Sequence, residues 1–371
     1  MVSSTKTNTS DISHVEQKLS VQCRNFAEDS IAIRSLDWDR SRFDIEFGLR
    51  NGTTYNSFII KGKKIAVIDT SHSKFESLWL DNLIQQVNPK EISYLISSHT
   101  EPDHSGLISD LLDLNPEITI VGSKIALKFI EDQIHRPFKR LEVKSGEFLD
   151  LGTNSESGIN HNIEFISAPN LHWPDTIFSF DHGTKVLYTC DAFGLHYCSN
   201  DLFDSNQKEI FKDFRFYYDC LMGPNARSVI QAIKKIDKLP SVKSIAVGHG
   251  PILQNHVEFW KNKYSEWSNN KNKGNEYVAV CYISDYGFCD RLSQALSHGI
   301  GKADAQVQLI DLRSSDQQEL TALITEAKAV VIPTWPINSD VDLQESIGTL
   351  FAALKPKQFT ATYDSFGGND E

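Results

Sequence analysis

His99, Glu101, Asp103 and His104 put four side chains able to bind a transition metal within six residues of chain. They lie in Ser98-His99-Thr100-Glu101-Pro102-Asp103-His104-Ser105-Gly106, directly after the apolar run 92–96. His99, Glu101 and Asp103 alternate with Thr100 and Pro102, and His104 follows at once. Such a loop can aim one pair of ligands at one metal and the next pair at a second. Capping a helix would need one of these residues, not four. Three more candidates each follow an apolar run. They are His172 in Ala168-Pro169-Asn170-Leu171-His172-Trp173-Pro174-Asp175, Asp191 in Cys190-Asp191-Ala192-Phe193-Gly194, and His249 in Gly248-His249-Gly250-Pro251. Mixed imidazole and carboxylate donors suit iron-type redox chemistry or, with zinc, hydrolysis. His14, His72, His135, His161, His182, His196, His256 and His298 read as surface or hydrogen-bonded core residues. Trp173 and Tyr197 lie close to candidate ligands in sequence and read as core aromatics.

The elements that position these groups follow from apolar spacing. Residues 92–96 read as a buried strand, so the cluster sits at its C-terminal end, where sites gather in βα units. Residues 56–60 and 64–68 read as a hairpin around a Lys-Gly turn, and 74–87 has helical spacing. Helices are expected at 107–114 and 123–133 with a strand at 118–121 between them. Short strands fill 141–188, including 163–166, 177–180 and 186–187. A helix at 227–239, a strand at 242–247 and a helix at 254–267 close this part. Two alternations of helix and strand around a β-rich middle predict a layered α/β domain over 26–268. The polar stretch 269–275 reads as a linker and 1–25 as a flexible leader. From 276 to 371 the rhythm is βαβα, with strands at 277–283, 306–310, 329–332 and 359–363. Helices at 287–297, 316–326 and 341–354 alternate with them, as in a doubly wound parallel sheet.

A chain of 371 residues has room for two cores, and 40% hydrophobic with 23% charged residues is ordinary for a globular protein. The formal net charge of -12 argues against nucleic acid and against anionic membrane surfaces. No apolar run is long enough for an integral membrane segment, and the polar start lacks a secretory h-region. The six cysteines include no C-x-x-C pair, so reduced thiols and a cytoplasmic location are expected.

The first motif resembles that of the metallo-β-lactamase fold, H-x-H-x-D-H followed by separate His, Asp and His ligands. Here Glu101 takes the place of the second His. That departure, with a flavodoxin-like half behind it, resembles the flavodiiron proteins over about 23–371. The resemblance implies an α/β architecture, an αββα metallo-β-lactamase-like sandwich followed by an incomplete flavodoxin-like doubly wound parallel sheet. It also implies that His99, Glu101 and His172 hold one iron, that Asp103, His104 and His249 hold the other, and that Asp191 bridges them. Glu101 hardens the donor set, which favours iron over zinc, and two adjacent irons with open positions can take up a diatomic ligand.

The second cofactor implied is FMN, with its phosphate in the turn Ser284-Asp285-Tyr286-Gly287-Phe288-Cys289. Pro333-Thr334-Trp335 and Ser365-Phe366-Gly367-Gly368 supply the other two flavin loops, with Trp335 or Phe366 beside the ring. The expected reaction is reduction of O2 to water, with nitric oxide as the competing substrate. A zinc-dependent hydrolase and a non-catalytic subunit are the other readings. The leader and the two glycine-containing flavin loops resemble the oxygen-reducing subgroup of oxygenic phototrophs, without its C-terminal flavin reductase module. A separate reductase or other electron donor is therefore expected, together with a head-to-tail homodimer or a heterodimer with a related subunit. Four strands instead of the usual five precede Glu371, so loose FMN binding is expected.

Overall fold

The computed structural model describes residues 18–43, 47–271, 276–283, 288–303, 305–313, 315, 317–334 and 341–364. Alternation along the strands decides the layers. In Thr53–Lys61, Tyr55 and Ile59 face one apolar cluster while Phe58 and Ile60 face another. Ile31 and Ile33 against Ala32, and Leu95 against Ile96, repeat that split. These strands belong to a seven-stranded sheet ordered Leu19–Ala27, Ser30–Asp37, Thr53–Lys61, Ile65–Ile68, Ile92–Ile96, Thr119–Gly122 and Lys139–Glu142. Its first four strands pair antiparallel and the rest parallel.

A five-stranded sheet, Phe148–Thr153, Asn160–Ser167, Ile177–Asp181, Val186–Cys190 and Ser244–Val247, lies against it. Ile163, Phe165, Val186 and Tyr188 from this sheet share one cluster with Phe58, Ile60 and Ile96 from the other, which makes the shared inner layer. Helices cover both outer faces. Trp79, Leu83, Leu111 and Ile130 pack on the first sheet, and Phe214, Val229, Trp260 and Tyr264 on the second. The result is the expected αββα sandwich.

A third, parallel sheet is ordered Gln306–Asp311, Tyr277–Tyr282, Ala329–Pro333 and Phe359–Tyr363. That is the 2-1-3-4 order of a flavodoxin-like sheet. Separate apolar clusters lie on its two faces. It touches the sandwich through Asn170, whose side-chain amide donates to the Leu309 carbonyl at 3.2 Å. The Arg227 guanidinium lies 4.5 Å over the Tyr277 ring and 3.2 Å from Glu326.

Three sequence expectations need correction. The leader cannot reach residue 25, because Leu19–Ala27 is an edge strand paired with Ser30–Asp37. The helix Val257–Lys271 runs three residues into the polar stretch, where the Asn269 side chain donates to the Ser265 carbonyl. A helix at Gln207–Tyr217, continued as a wider turn to Met222, stands where no element was expected.

One buried cluster ties the two sheets together. His161, on the second sheet, places Nδ1 2.8 Å from Asp181 and Nε2 3.2 Å from Asp29 in the turn between the first two strands. Burial pushes this imidazole down, but the Asp181 hydrogen bond and charge and then Asp29 outweigh it and raise its pKa. For Asp181 burial raises the carboxyl, and the His161 and Thr184 hydrogen bonds bring it below its usual range. The histidine contribution is complete below about pH 6.5 and fades as the pH rises through the raised folded value. The aspartate contribution is complete above about pH 3.9 and fades in acid. His161→Gln is therefore expected to destabilise the sandwich by on the order of 3 kcal/mol near pH 5.5 and by clearly less near pH 9. Denaturant titrations at the two pH values measure the difference.

Candidate metal centre

All seven candidate ligands come from segments that follow the C-terminal ends of strands. After Ile92–Ile96 the chain bends at Ser98 and runs without regular structure to Glu101, and Pro102 then opens one helical turn, Pro102–Ser105. Proline suits that position because its missing N–H is not needed there. His104 is pinned by its own backbone: its carbonyl accepts from Thr70 Oγ1 at 2.7 Å and its N–H donates to the Glu101 carbonyl at 2.9 Å. Cys190, just before Asp191, has φ +51 and Asn170, just before Leu171-His172, has φ +64. Left-handed backbone at such residues is uncommon, and here it turns two chain segments toward the same point. His249 lies between two glycines. A Cβ on Gly248 would stand 2.8 Å from the His104 ring, so the two imidazoles come together only because that side chain is missing.

The ligand atoms form two groups. Glu101 Oε2 lies 3.0 Å from His172 Nε2 and 3.4 Å from His99 Nε2. Asp103 lies 3.5 Å from His104 Nε2 through Oδ1 and 3.4 Å from His249 Nε2 through Oδ2. Asp191 stands between the groups and divides its oxygens. Oδ2 is 3.5 Å from His99 Nε2 and 3.3 Å from His172 Nε2, while Oδ1 is 3.0 Å from His104 Nε2 and 3.2 Å from His249 Nε2. Donors held about 2.0–2.2 Å from one metal stand about 3.0–3.5 Å apart, so both groups have the spacing of a coordination shell.

Burial adds a second test of fit. Six of the seven are buried, and only Glu101, at 15%, reaches the surface. Among the described residues, both Asp103 oxygens, Asp191 Oδ2 and His249 Nε2 are enclosed without a hydrogen-bond partner, which a buried carboxylate tolerates only beside a cation. Protons fill part of that need in the metal-free chain. Burial opposes charge on His104 and His172, yet Asp103 and Asp191 hold the first up to about 9, and Asp191 and Glu101 hold the second up to about 10. Against the cost of burial, His104 and its fellow imidazoles hold Asp191 well below the carboxylate range. A metal would replace those protons. The Cys190 thiol also lies beside His104 and Asp191, but burial and the carboxylates push it well up, so it offers no thiolate.

Outer contacts fix the imidazole tautomers. His99 Nδ1 donates to Asp175 Oδ1 at 3.0 Å, and Asp175 Oδ2 accepts from the Thr100 N–H and hydroxyl, both at 2.7 Å. His249 Nδ1 donates to the Thr54 carbonyl at 2.6 Å. Each bond leaves Nε2 bare and turned inward. Asp175→Asn is expected to weaken metal binding in the His99 group by about ten- to a hundredfold. Chelator competition on the purified protein measures it.

Sequence reasoning passed over Asp175, Thr54, Tyr217 and His196. Tyr217 comes from the unforeseen helix, and its enclosed hydroxyl lies beside Gly194, close enough for the Asp191 charge to raise its pKa strongly on top of burial. Tyr197, nearer to Asp191 in sequence, instead turns its hydroxyl away to Glu209. Trp173 presents its ring edge to His99 at 5.0 Å and helps enclose the His99 group. The one available signal for Asp175 was its place three residues after His172.

For the expected flavin loops the described residues carry less. Pro333 ends its strand, and Thr334 follows at the C-terminal edge of the sheet, its N–H donating to the Tyr363 carbonyl at 3.0 Å and its hydroxyl bonded to Asp364. Cys289 lies in the first turn of the helix Phe288–Lys302, half-buried. Ser284, Asp285, Tyr286, Gly287, Trp335, Ser365, Phe366, Gly367 and Gly368 lie outside the described residues, as does the Phe288 side chain.

Comparison with known proteins bears on the family and the fold. Residues 53–250 match the family model described as ODP family beta lactamase. Diflavin flavoprotein A 1 of Synechocystis is 50% identical over 96% of this chain, and the chain spans 61% of that relative's length. Among solved structures, a metal-soaked flavodiiron core from Synechocystis aligns with a TM-score of 0.80 at 29% identity, over 93% of this chain and 85% of that one. The rubredoxin oxygen:oxidoreductase of Desulfovibrio gigas shares the fold, with a TM-score of 0.62 at 24% identity over 94% of this chain and 86% of that one.

Proposed function

Because the chain belongs to the ODP family of beta-lactamase-fold proteins, and within it to the flavodiiron proteins, we propose that it is an oxidoreductase that carries two irons and FMN and reduces O2 to water. The observation behind this reading is the division of Asp191, with Oδ2 toward His99 and His172 and Oδ1 toward His104 and His249. His99, Glu101 and His172 would hold one iron, Asp103, His104 and His249 the other, and Asp191 both. With its irons bound, such a centre supplies two electrons at once to a diatomic ligand, and FMN relays electrons to it. The protein's own part is positional. Asp175 and the Thr54 carbonyl aim imidazoles, three carboxylates offset the charge of ferric ions, and Trp173 with the inner strands keeps water from the centre. Glu101, the partly exposed member, marks the side from which small ligands and electrons arrive.

Pro333, Thr334 and Cys289, with Ser284, Asp285, Tyr286, Gly287, Phe288, Trp335, Ser365, Phe366, Gly367 and Gly368, form the FMN site in this reading. The division between the metal-binding and flavin-binding parts falls at 272–275. Electrons come from a separate donor such as a flavin reductase, and a head-to-tail dimer brings the FMN of one copy to the irons of the other. The cytoplasm is the proposed site of action, in keeping with cysteines that form no C-x-x-C pair. No helix among the described residues is long and apolar enough to cross a membrane. Nitric oxide is the second candidate substrate, since the same donor set accepts either gas.

Metal and flavin analysis after aerobic purification, followed by oxygen uptake with chemically reduced flavin, tests the reading. About two irons per chain and flavin-dependent uptake are expected. Stoichiometric zinc without iron would replace it with the hydrolase reading.

A further inference from the structure

His196 lies against the metal centre and has no part in the ligand set. It is 6% exposed, its ring centroid 4.2 Å from Phe43 and 4.8 Å from both Tyr217 and His249. Its Nδ1 is 2.8 Å from Thr53 Oγ1. His249 is held one residue further on, through Nδ1 and the Thr54 carbonyl. Both imidazoles thus hang by Nδ1 from the same strand end, and both turn Nε2 away from it. For His249 that direction leads to Asp191 and Asp103, at 3.2 and 3.4 Å. His196 itself lies against the flank of that chamber, its ring tilted 57° to that of His249. Its Nε2 is nevertheless closed off from solvent and has no hydrogen-bond partner among the described residues.

The position of the proton follows from Thr53. Its hydroxyl lies 3.4 Å from the Thr54 carbonyl, which already accepts from His249 at 2.6 Å. His196 Nδ1, at 2.8 Å, is the better acceptor for that hydroxyl. A neutral imidazole that accepts at Nδ1 carries its hydrogen on Nε2. The chamber therefore contains a buried N–H donor with nothing to donate to, an arrangement that costs stability unless a guest supplies the acceptor.

On the diiron reading above, we propose that His196 Nε2–H donates a hydrogen bond to the small exogenous ligand taken up by the metal pair, on the side of His104 and His249. His196 is then a ligand-contacting residue and not a metal ligand. Its role differs from that of Asp175 or Thr54, which act on the imidazoles from outside.

His196→Phe and His196→Gln, made in the full chain, separate the possibilities. Phenylalanine keeps the packing against Phe43 and removes the donor, while glutamine keeps an N–H near the position of Nε2. The probe is azide, titrated into the oxidised iron-loaded protein and followed by its charge-transfer absorption. Both variants are expected to keep the parent's iron content. His196→Phe should weaken azide binding by on the order of ten- to a hundredfold, and His196→Gln should restore it to within about threefold. Unchanged azide affinity in His196→Phe, equal weakening in both variants, or loss of an iron from either overturns the proposal. Nitrogen-15 spectra of the metal-free protein read the His196 tautomer without any metal: Nε2–H is expected, and Nδ1–H overturns it. A parent protein without an iron pair would instead refute the diiron reading, and the tautomer would still decide the case of His196.

Discussion

Asp191→Ala leaves the protein without its metal pair. Each terminal ligand touches one group of donors, so His172→Ala should lower iron content to about one per chain and spare the His104 group. Asp191 differs because its oxygens are divided, Oδ2 against His99 and His172 and Oδ1 against His104 and His249. On the proposed ligand set, its removal would take one anionic donor from each metal and leave both with three protein ligands. Two ferric ions then face each other across the gap with one negative charge fewer between them. Bound iron is expected to fall below about a tenth of the parent value, since a single lost anionic contact already costs tenfold or more in affinity. Folding should survive, because the strand Val186–Cys190 that precedes the residue is buried on both faces by apolar neighbours. Metal analysis beside far-ultraviolet circular dichroism separates loss of metal from loss of fold. Two irons retained in Asp191→Ala would refute the bridging role.

What the sequence revealed and what it concealed divide along the range of the contacts involved. His99, Glu101, Asp103 and His104 were legible because the grouping is local and four metal-binding side chains on one short loop have no structural use. His172, Asp191 and His249 are distant in sequence, but each follows an apolar run, and strand ends of an α/β layer converge on one edge. Asp175 and Thr54 became visible only in three dimensions. Their roles rest on contacts to His99 and His249 across 76 and 195 positions, and no local pattern encodes such pairs. His196 was set aside with seven other histidines for the same reason: Thr53, its partner, lies 143 positions away. The helix Gln207–Tyr217 buries Ile210, Phe214 and Tyr217 at helical spacing, but the exposed Phe216 and half-buried Phe211 blur its apolar stripe. Leu19–Ala27 was hidden differently. As an edge strand it has one strand neighbour, and its residues are mostly half-exposed and polar enough to pass for a leader.

Glu101→His exchanges the iron of the His99 group for zinc. The substitution restores the H-x-H-x-D-H pattern and turns that group into three imidazoles with one oxygen of Asp191. Neutral imidazoles suit zinc, whereas a hard anionic carboxylate stabilises ferric iron. Space is available, because Glu101 is the partly exposed ligand and an imidazole extending toward His172, now 3.0 Å from the Glu101 oxygen, can lean outward. Replacing an anion by a neutral ring also removes one of the three negative charges that balance the metal pair. Cells supplying both metals should then yield protein whose zinc-to-iron ratio has risen by more than about tenfold, which corresponds to about 1.4 kcal/mol of altered preference. Oxygen uptake with reduced flavin should fall to background, since one zinc removes half of the electrons that the centre can deliver together. Glu101→Asp, which keeps the carboxylate and shortens its reach, is the control and should retain iron with lowered occupancy. Metal analysis and uptake on the same preparations decide the matter. A Glu101→His protein that keeps two irons and full uptake would mean that this carboxylate does not select the metal.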